Sequence, residues 1–337
     1  MSEPERRTLT KLSKVRDQDR AVDALRREIE TDRIHHAHLF IGPSGVGKTT
    51  SARAWAARLL CSDPQGFDPC ERCASCKKLE SGVHPDLIEV EPDGRFIKID
   101  QVRAVTEATR YRPNEGRWRV VIFHRVEQLN EAAANALLKT LEEPTGSTLF
   151  VLLTEAPQRV LATVRSRCLP LRFGPLSLET CVDLLVDQEV DAGRAAVLAR
   201  LGGGSPGRAI ALASSAAIEE RDVVIQNMIA IARGDLVRGL RWASSLSLVN
   251  ERDLLEERLR VWKGMLRDAA VLSSTEDPSL VHHQDIVEDL GRLSKALPLA
   301  SIYRWVEALE RATQRLVGNV QPRLLIESLM IDFSTAA

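Results

Sequence analysis

Residues 38–50 read HLFIGPSGVGKTT, and this stretch decides how the N-terminal half of the chain folds. His38–Ile41 is predicted to form a short strand, and Thr49–Leu60 (TTSARAWAARLL) is predicted to form a helix. A strand that enters a glycine loop and leaves it as a helix is the context in which this spacing binds phosphate. A plain glycine turn is the alternative, but every fixed position of the phosphate-binding motif is filled here.

The loop predicts how a nucleotide would be held. The predicted nucleotide-binding residues of the loop are Gly42, Gly45, Gly47, Lys48, Thr49 and Thr50. The glycines allow the backbone N–H groups to surround a diphosphate, and the helix that follows adds its positive dipole end. Lys48 would reach the terminal phosphates, and the hydroxyl of Thr49 would face magnesium. The loop predicts binding of ATP or ADP, whereas hydrolysis also needs a metal and a polarised water.

A later strand lacks the acids that would hold that metal. Residues 120–130 read VVIFHRVEQLN, so the predicted strand Val120–Phe123 is followed by His124 and Arg125. Histidine is a poor ligand for magnesium, and arginine cannot act as a base. We therefore expect a site that binds nucleotide but turns it over slowly or not at all, and magnesium binding is unsupported.

Other carboxylates leave an alternative open. Glu127 lies just beyond the end of the strand, and we expect it to point away from the loop. Asp86 and Glu89 lie in or beside a second predicted strand, Leu87–Val90, which follows soon after a cysteine-rich segment. If one of these acids held the metal, the chain would be an active ATPase.

Four of the six cysteines lie close together in the sequence, at Cys61, Cys70, Cys73 and Cys76. Four soft ligands at this spacing predict a structural zinc site with no position left open for water. Disulfides are the alternative, but nothing in the sequence indicates an oxidising compartment. His84 is a possible substitute ligand, although four thiolates already complete a tetrahedron.

The order of predicted elements divides the chain of 337 residues into three parts. Strands alternate with helices up to about residue 174, which predicts an α/β domain with a parallel sheet and a cysteine insertion at about 61–76. Residues 175–214 predict a small helical lid that includes the glycine-rich break GGGSPG at 202–207. Residues 215–337 predict an all-α domain, with apolar stripes in Glu251–Leu272, Ile302–Leu316 and Leu324–Phe333.

Composition excludes several classes of protein. The net charge is −1 and aromatic residues make up 4% of the chain, so neither a global basic surface nor extended base-stacking platforms are expected. No apolar run approaches the roughly 18 residues of a membrane-spanning helix. The charged N-terminus does not read as a secretory signal, so a cytoplasmic location is expected.

Several stretches together resemble a known family, the bacterial clamp-loader subunits, which are AAA+ proteins of the DNA polymerase III holoenzyme. The residues that carry the resemblance are H36-A-H-L-F-I-G-P-S-G-V-G-K-T-T50, the four-cysteine insertion, H84-P-D86, N135-A-L-L-K-T-L-E-E-P144, S166-R-C168 and N319-V-Q-P-R-L324. The resemblance is dense over residues 15–175 and thinner, though collinear, beyond. It implies an AAA+ nucleotide-binding domain followed by a helical lid and an all-α collar that serves oligomerisation.

The resemblance also implies roles for single residues. Arg167, in the Ser-Arg-Cys motif, corresponds to the arginine that reaches a neighbouring subunit's ATP site, where a guanidinium stabilises charge on the γ-phosphate. Arg208 corresponds to the lid arginine that senses nucleotide, and Thr154 to the polar sensor of the sheet. Each has a plain alternative: a surface arginine, a solvated helix-start charge and a strand-end hydroxyl.

Within this family, the missing acids make the chain resemble the delta-prime kind of subunit more than the gamma/tau motor. The implied function is to donate Arg167 in trans and to help load the sliding clamp onto primed DNA, in complex with gamma/tau and delta. The chain would belong to a DNA-directed DNA polymerase holoenzyme without its own polymerase or efficient ATPase activity. The alternatives are an active gamma/tau-like ATPase and a zinc-dependent DNA-binding regulator, against which the near-neutral charge counts.

Overall fold

The computed structural model describes residues 9–142, 147–246, 252–316 and 320–337. The predicted motif and helix positions Glu143, Pro144, Glu251 and Asn319 lie outside these ranges. The chain divides into two compact units, Met1–Thr180 and Cys181–Ala337, each of which is described by itself.

A five-stranded parallel sheet forms the centre of the first unit. Its strands are β1 (Ala37–Ile41), β2 (Leu87–Val90), β3 (Arg119–Phe123), β4 (Thr148–Thr154) and β5 (Leu169–Arg172). The order across the sheet is β2-β3-β4-β1-β5, and all the pairs are parallel. The predicted parallel sheet is confirmed, as are the four strands that the apolar runs indicated. The strand β5 was not predicted, because the sequence LPLR is short and two of its four residues, Pro170 and Arg172, are poor signals for a strand.

Helices cover both faces of this sheet. They are α1 (Asp19–Thr31), α2 (Lys48–Leu60), α3 (Ala74–Glu80), α4 (Ile99–Thr109), α5 (Glu131–Glu142) and α6 (Ala162–Arg165). On one face, α4 and α5 bury Val102 and Leu137 against Leu39, Val121 and Phe150 of the strands. On the other face, Trp55 of α2 packs edge-on against His38 of β1, with ring centroids 4.6 Å apart. Burial on two faces explains why Val120–Phe123 of β3 and Leu149–Leu153 of β4 are continuous apolar runs instead of alternating.

An ion pair lies completely inside the first unit. The Arg119 guanidinium and the Asp86 carboxylate are 3.2 Å apart, and neither is more than 4% exposed. Asp86 also accepts the backbone N–H groups of Asn114 and Glu115, at 2.7 and 2.8 Å. Burial opposes the charge on Asp86, but these hydrogen bonds hold its pKa below the usual range. Asp86 is therefore fully used in fixing the loop before β3, which removes it as a candidate metal-binding acid.

The second unit is all-α in its described residues. Its helices are α7 (Leu178–Val186, which begins just before the unit boundary), α8 (Ala192–Gly202), α9 (Pro206–Ala213), α10 (Ala216–Glu219), α11 (Arg221–Ala232), α12 (Leu236–Ser245), α13 (Arg252–Thr275), α14 (Val287–Ala296), α15 (Leu299–Leu316) and α16 (Pro322–Ala336). The stripe predicted for α13 is buried, with Leu255, Leu259, Trp262, Leu266 and Ala269 all at most 1% exposed. Trp305 of α15 stacks on Phe333 of α16 at 4.2 Å between ring centroids.

A buried carboxylate holds the connection between α13 and α14. Asp268 accepts the backbone N–H groups of His282 and His283 at 2.9 Å and the His283 ring Nδ1 at 2.7 Å. This polar contact could not be read from the sequence, because its partners are fifteen residues apart with no periodic pattern.

None of the helices in the described ranges is both long enough and apolar enough to cross a bilayer.

The Arg119–Asp86 pair should be essential to the stability of the first unit. Asp86→Ala would leave a buried guanidinium without its carboxylate, and the expected loss is about 3 to 5 kcal/mol of unfolding free energy. Chemical denaturation of the full chain measures it. Asp93→Ala, which breaks the exposed pair with Lys98, is the control and should cost about 1 kcal/mol or less. Equal losses in the two variants would contradict the assigned role of Asp86.

The contribution of Asp86 to the unfolding free energy depends on pH with a defined sign. Because the folded-state pKa of Asp86 is lowered, its stabilisation is complete above the unfolded value of about 3.9 and is lost as the pH falls further.

Candidate nucleotide site and neighbouring cysteine and arginine centres

The phosphate loop joins the carboxyl end of β1 to the first turn of α2, as predicted. Gly47 has a φ of 97°, in the left-handed region that favours glycine, and Gly45 shares this conformation at 70°. Gly42 is required for another reason: a Cβ there would lie 2.4 Å from the carbonyl oxygen of Phe173. The loop therefore lies in close contact with Phe173, the residue that follows β5.

Lys48 is buried at the start of α2 and lies across its own loop. Its ammonium group donates to the carbonyl oxygens of Gly42 at 2.7 Å and Pro43 at 2.6 Å. Burial lowers the pKa of Lys48, and the nearby carboxylates of Glu155 and Glu127 oppose that shift. The ammonium group is therefore placed at the loop, where bound phosphate oxygens could replace the two carbonyls.

Thr154 and Glu127 lie beside this loop. Thr154 ends β4 opposite Ile41 of β1, and its carbonyl accepts the N–H of Gly42 at 3.2 Å. Its hydroxyl donates to Glu127 at 2.6 Å. The expectation that Glu127 points away from the loop is wrong. The short 3₁₀ helix Val126–Gln128 places the Glu127 carboxylate beside Thr154 at the end of β4. A prediction based on strands alone could not anticipate this turn.

His124 is held in a network that the sequence did not reveal. Its Nε2 lies 3.3 Å from the carboxylate of Glu89 on β2, which also accepts two hydrogen bonds from Arg53 of α2, at 2.8 and 2.6 Å. Arg125, in contrast, is exposed and has a left-handed φ of 50°. Glu127 accepts the hydroxyl of Thr154. The register of β2 with β3 places Glu89 beside Ile122, two residues before His124. The contact can therefore be anticipated only once the pairing of these strands is known.

Gln18, which sequence reasoning also missed, ties the loop to the end of the sheet. Its amide donates to the carbonyls of Val46 at 3.3 Å and Gly174 at 2.8 Å, and accepts the N–H of Gly174 at 3.0 Å. Only 4% of Gln18 is exposed. A single glutamine before α1 carries no pattern that would have identified this contact.

The four predicted cysteines come together in one cluster, and their sulfur atoms lie within 4.8 Å of one another. Cys61 is 3.9 Å from Cys73 and 3.6 Å from Cys76, sulfur to sulfur. A tetrahedral zinc–thiolate centre with bonds of about 2.3 Å places its sulfurs about 3.8 Å apart, so the spacing fits. All four are free thiols, as are Cys168 and Cys181, so the disulfide alternative is not formed. The cluster is able to bind a metal ion such as zinc.

Backbone N–H groups point at these sulfurs. Cys70 donates to Cys61 at 3.3 Å, and Cys73 and Cys76 donate to the cysteine three residues earlier at 3.4 Å. Burial alone would raise the pKa of Cys73, but hydrogen bonds from Ser62 and Cys76 lower it to about 5. The more buried Cys76 has a raised pKa. The cluster therefore favours a thiolate at Cys73 even before a metal contributes.

His84 does not belong to the cysteine cluster. Its Nδ1 accepts the backbone N–H of Asp86 at 3.1 Å, and its Nε2 lies 2.8 Å from the hydroxyl of Ser75. Ser75 in turn donates to the carbonyl of Leu60 at 2.6 Å. Both ring nitrogens therefore have hydrogen-bond partners. Through Ser75, the imidazole stabilises the segment that carries the cysteines without belonging to the cluster.

Arg167 lies at a separate place, between α6 and β5, in a cavity of about 670 Å³. Its guanidinium pairs with Glu142 at 2.5 Å and donates to the carbonyl of Thr163 at 2.9 Å. About a third of the side chain is exposed. Cys168 lines the same cavity and packs in the core of the first unit, and burial raises its pKa to about 12.

Arg208 lies in the second unit, near the start of α9, and its backbone N–H donates to Ser205 at 3.2 Å. The glycine-rich break before it is capped by this serine, as a helix start requires. A role of Arg208 toward nucleotide stays a prediction.

Comparison with known proteins identifies the family. Residues 17–177 match the family described as DNA polymerase III, delta subunit, and residues 216–335 match its C-terminal family. The chain is 31% identical to the DNA polymerase III subunit delta' of Bacillus subtilis, over 93% of this chain and 95% of that protein. Identity to the delta' subunit of Escherichia coli K12 is 35%, over 75% and 77% of the two chains. The tau subunit of the same organism is 39% identical, but over 48% of this chain and 25% of tau.

Similarity to the Bacillus subtilis delta' subunit therefore extends over nearly the whole of both chains. The tau subunit of Bacillus subtilis also matches 93% of this chain, but at 26% identity and over only 60% of its own length. With its parallel AAA+ sheet, phosphate loop and helical C-terminal unit, the chain belongs to the delta' family of DNA polymerase III clamp-loader subunits.

Proposed function

We propose that this chain donates Arg167 to the ATP site of a neighbouring clamp-loader subunit and does not efficiently hydrolyse nucleotide at its own loop. The observation that carries the proposal is the position of Arg167, in an open cavity apart from the phosphate loop of its own chain. An arginine so placed serves a ligand that another subunit presents.

The contacts of Arg167 suit such a role. Its partner Glu142 is 48% exposed, and ion pairs of this kind contribute about 1 kcal/mol or less. A γ-phosphate could therefore replace Glu142 at little cost, because charge-assisted bonds from a guanidinium to phosphate are strong. The carbonyl of Thr163 would keep the side chain oriented during the exchange.

The chain's own site supports nucleotide binding more than turnover. Lys48 and the glycine loop are in place, but the strand β3 is followed by His124 where a metal-binding acid is expected. ATP or ADP in the loop would then act as a structural or sensing ligand. Thr154 and Arg208 would read its presence from the sheet and the lid.

The proposed partners follow from the family. The relatives are named subunits of DNA polymerase III, among them delta' and tau. We place this chain beside gamma/tau and delta, with the sliding clamp and primed DNA reached through the complex, in the cytoplasm. The cysteine cluster would hold structural zinc, since the spacing of its sulfurs leaves no ligand position for water.

Replacing Arg167 tests the proposal directly. Arg167→Ala should abolish most hydrolysis at the neighbouring site, because an arginine supplied in trans is worth about 10³-fold or more in kcat. The measurement is the clamp- and DNA-stimulated ATPase rate of the reconstituted complex. This rate should fall by the fraction that the neighbouring site contributes to it. Arg167→Lys should restore little, since an ammonium group lacks the planar fork.

The matched control is Arg165→Ala, an exposed arginine two residues away on the same segment. It should leave both the assembly and the ATPase of the complex unchanged. If Arg167→Ala assembles normally and hydrolyses ATP at the wild-type rate, the trans-arginine role is wrong.

The cysteine cluster generates a separate prediction. The purified chain should contain one equivalent of zinc, and Cys73→Ser should lose it and lower the melting temperature, because metal binding contributes to folding. Elemental analysis and thermal denaturation measure both effects. Cys181→Ser, at a buried cysteine outside the cluster, should retain the metal. Zinc that persists in Cys73→Ser but is lost from Cys181→Ser would contradict the assignment.

A further inference from the structure

The network of Arg53, Glu89 and His124 includes the residue that follows β3, which is the position where a catalytic nucleotide site is expected to carry a metal-binding acid. Arg53 binds both oxygens of Glu89, at 2.8 and 2.6 Å, and His124 Nε2 lies 3.3 Å from one of them. Glu89 is only 12% exposed, and so is His124. The hydrogen bond to Glu89 raises the pKa of Arg53, which keeps this cation permanently charged.

The network is adjacent to the phosphate loop through α2. Thr49, whose hydroxyl would face a metal, and Arg53 are four residues apart on this helix and therefore share one face. Through Arg53, that face contacts Glu89 at the carboxyl end of β2, and through Glu89 it reaches His124 at the end of β3. The loop, the helix face and the two strand ends thus meet at one edge of the sheet.

The donor set there does not suit magnesium. Magnesium in nucleotide sites needs one or two free carboxylates together with phosphate oxygens and water. The ligand atoms of Glu89, Glu91 and His124 lie within 4.8 Å of one another, which is a cation-like spacing. However, Glu91 is exposed and both oxygens of Glu89 already bind a guanidinium, so a cation would first have to displace Arg53.

We infer that the loop holds its nucleotide without a divalent cation, because the fixed charges of Arg53 and Glu89, with His124, occupy the place of the metal. This inference rests on the proposed nucleotide binding at the loop. The positive charge that phosphates need comes from Lys48 and the N-terminus of α2. The ligand class is a nucleoside diphosphate or triphosphate in its metal-free form.

The experiment compares ADP binding by the full chain in excess magnesium and in EDTA, by calorimetry. The wild-type chain should bind ADP with the same dissociation constant in both buffers, and Lys48→Ala should lose binding in both. Magnesium that tightens wild-type binding about tenfold, or ~1.4 kcal/mol, would overturn the inference. So would the absence of ADP binding in both buffers.

A matched pair of variants isolates the charge at position 124. His124→Asp would place a second carboxylate beside Glu89 and should make ADP binding at least about tenfold tighter in magnesium than in EDTA. His124→Asn introduces a side chain of the same size as aspartate but without its charge, and its ADP binding should remain insensitive to magnesium. Arg53→Gln, which removes the guanidinium from both oxygens of Glu89, should acquire magnesium dependence as well, even if His124→Asp does not fold.

This outcome is separable from the proposed trans role. The trans role is read from the ATPase of the complex with Arg167→Ala, whereas this inference is read from binding to the chain alone. Magnesium dependence in the wild-type chain would remove the inference and leave the role of Arg167 in place. If His124→Asp and Arg53→Gln both fold and stay insensitive to magnesium, the network does not control the metal and the inference is wrong.

Discussion

The parallel pairing of β1 with β4 is the constraint on which the site depends. It places Ile41 opposite Thr154, so the phosphate loop and the end of β4 leave the sheet at the same edge. Pairing of β3 with β4 brings the residues after Phe123 to that edge as well. Ligands of open α/β sheets bind at these carboxyl ends, and here the register places Thr154 and the residues after Phe123 at the same edge as the loop. If the register of β4 on β1 shifted by one residue, the hydrogen bond between Gly42 and Thr154 would be lost, and the side chains of β4 would move to the opposite faces of the sheet.

The charges at this edge distinguish a binding site from a catalytic one. Two carboxylates in this region have partners: Glu127 accepts the hydroxyl of Thr154, and Glu89 binds Arg53. A third, Glu155, lies near Lys48. Asp86 is committed to Arg119 inside the unit. Lys48 supplies positive charge for phosphate at the loop, whereas the charge of Arg53 is paired with Glu89. A further cation, Arg167, lines a cavity apart from the loop, where we propose that it serves a neighbouring subunit.

The parts of this structure that could be predicted are those with a local or periodic signal. The loop, the four central strands, the cysteine cluster and the buried stripe of α13 each follow from spacing within one segment. The partners of His124 could not be predicted in this way, because Glu89 and Arg53 reach it from two other elements. The direction of Glu127 depended on a short 3₁₀ turn, and the pairing of Arg167 with Glu142 depended on how α5 packs on α6. Contacts of this kind need the register of the sheet before they become visible.

The most direct test of the central claim is phosphate release by the isolated chain supplied with magnesium and ATP. His124 and Arg125 follow β3 in place of two acids, and the neighbouring Glu89 and Glu127 are bound by Arg53 and by the Thr154 hydroxyl, so we expect the loop neither to hold magnesium firmly nor to orient water. We predict that phosphate release by the wild-type chain equals that of Lys48→Ala. Release well above that background, and abolished by the Lys48 substitution, would contradict the account.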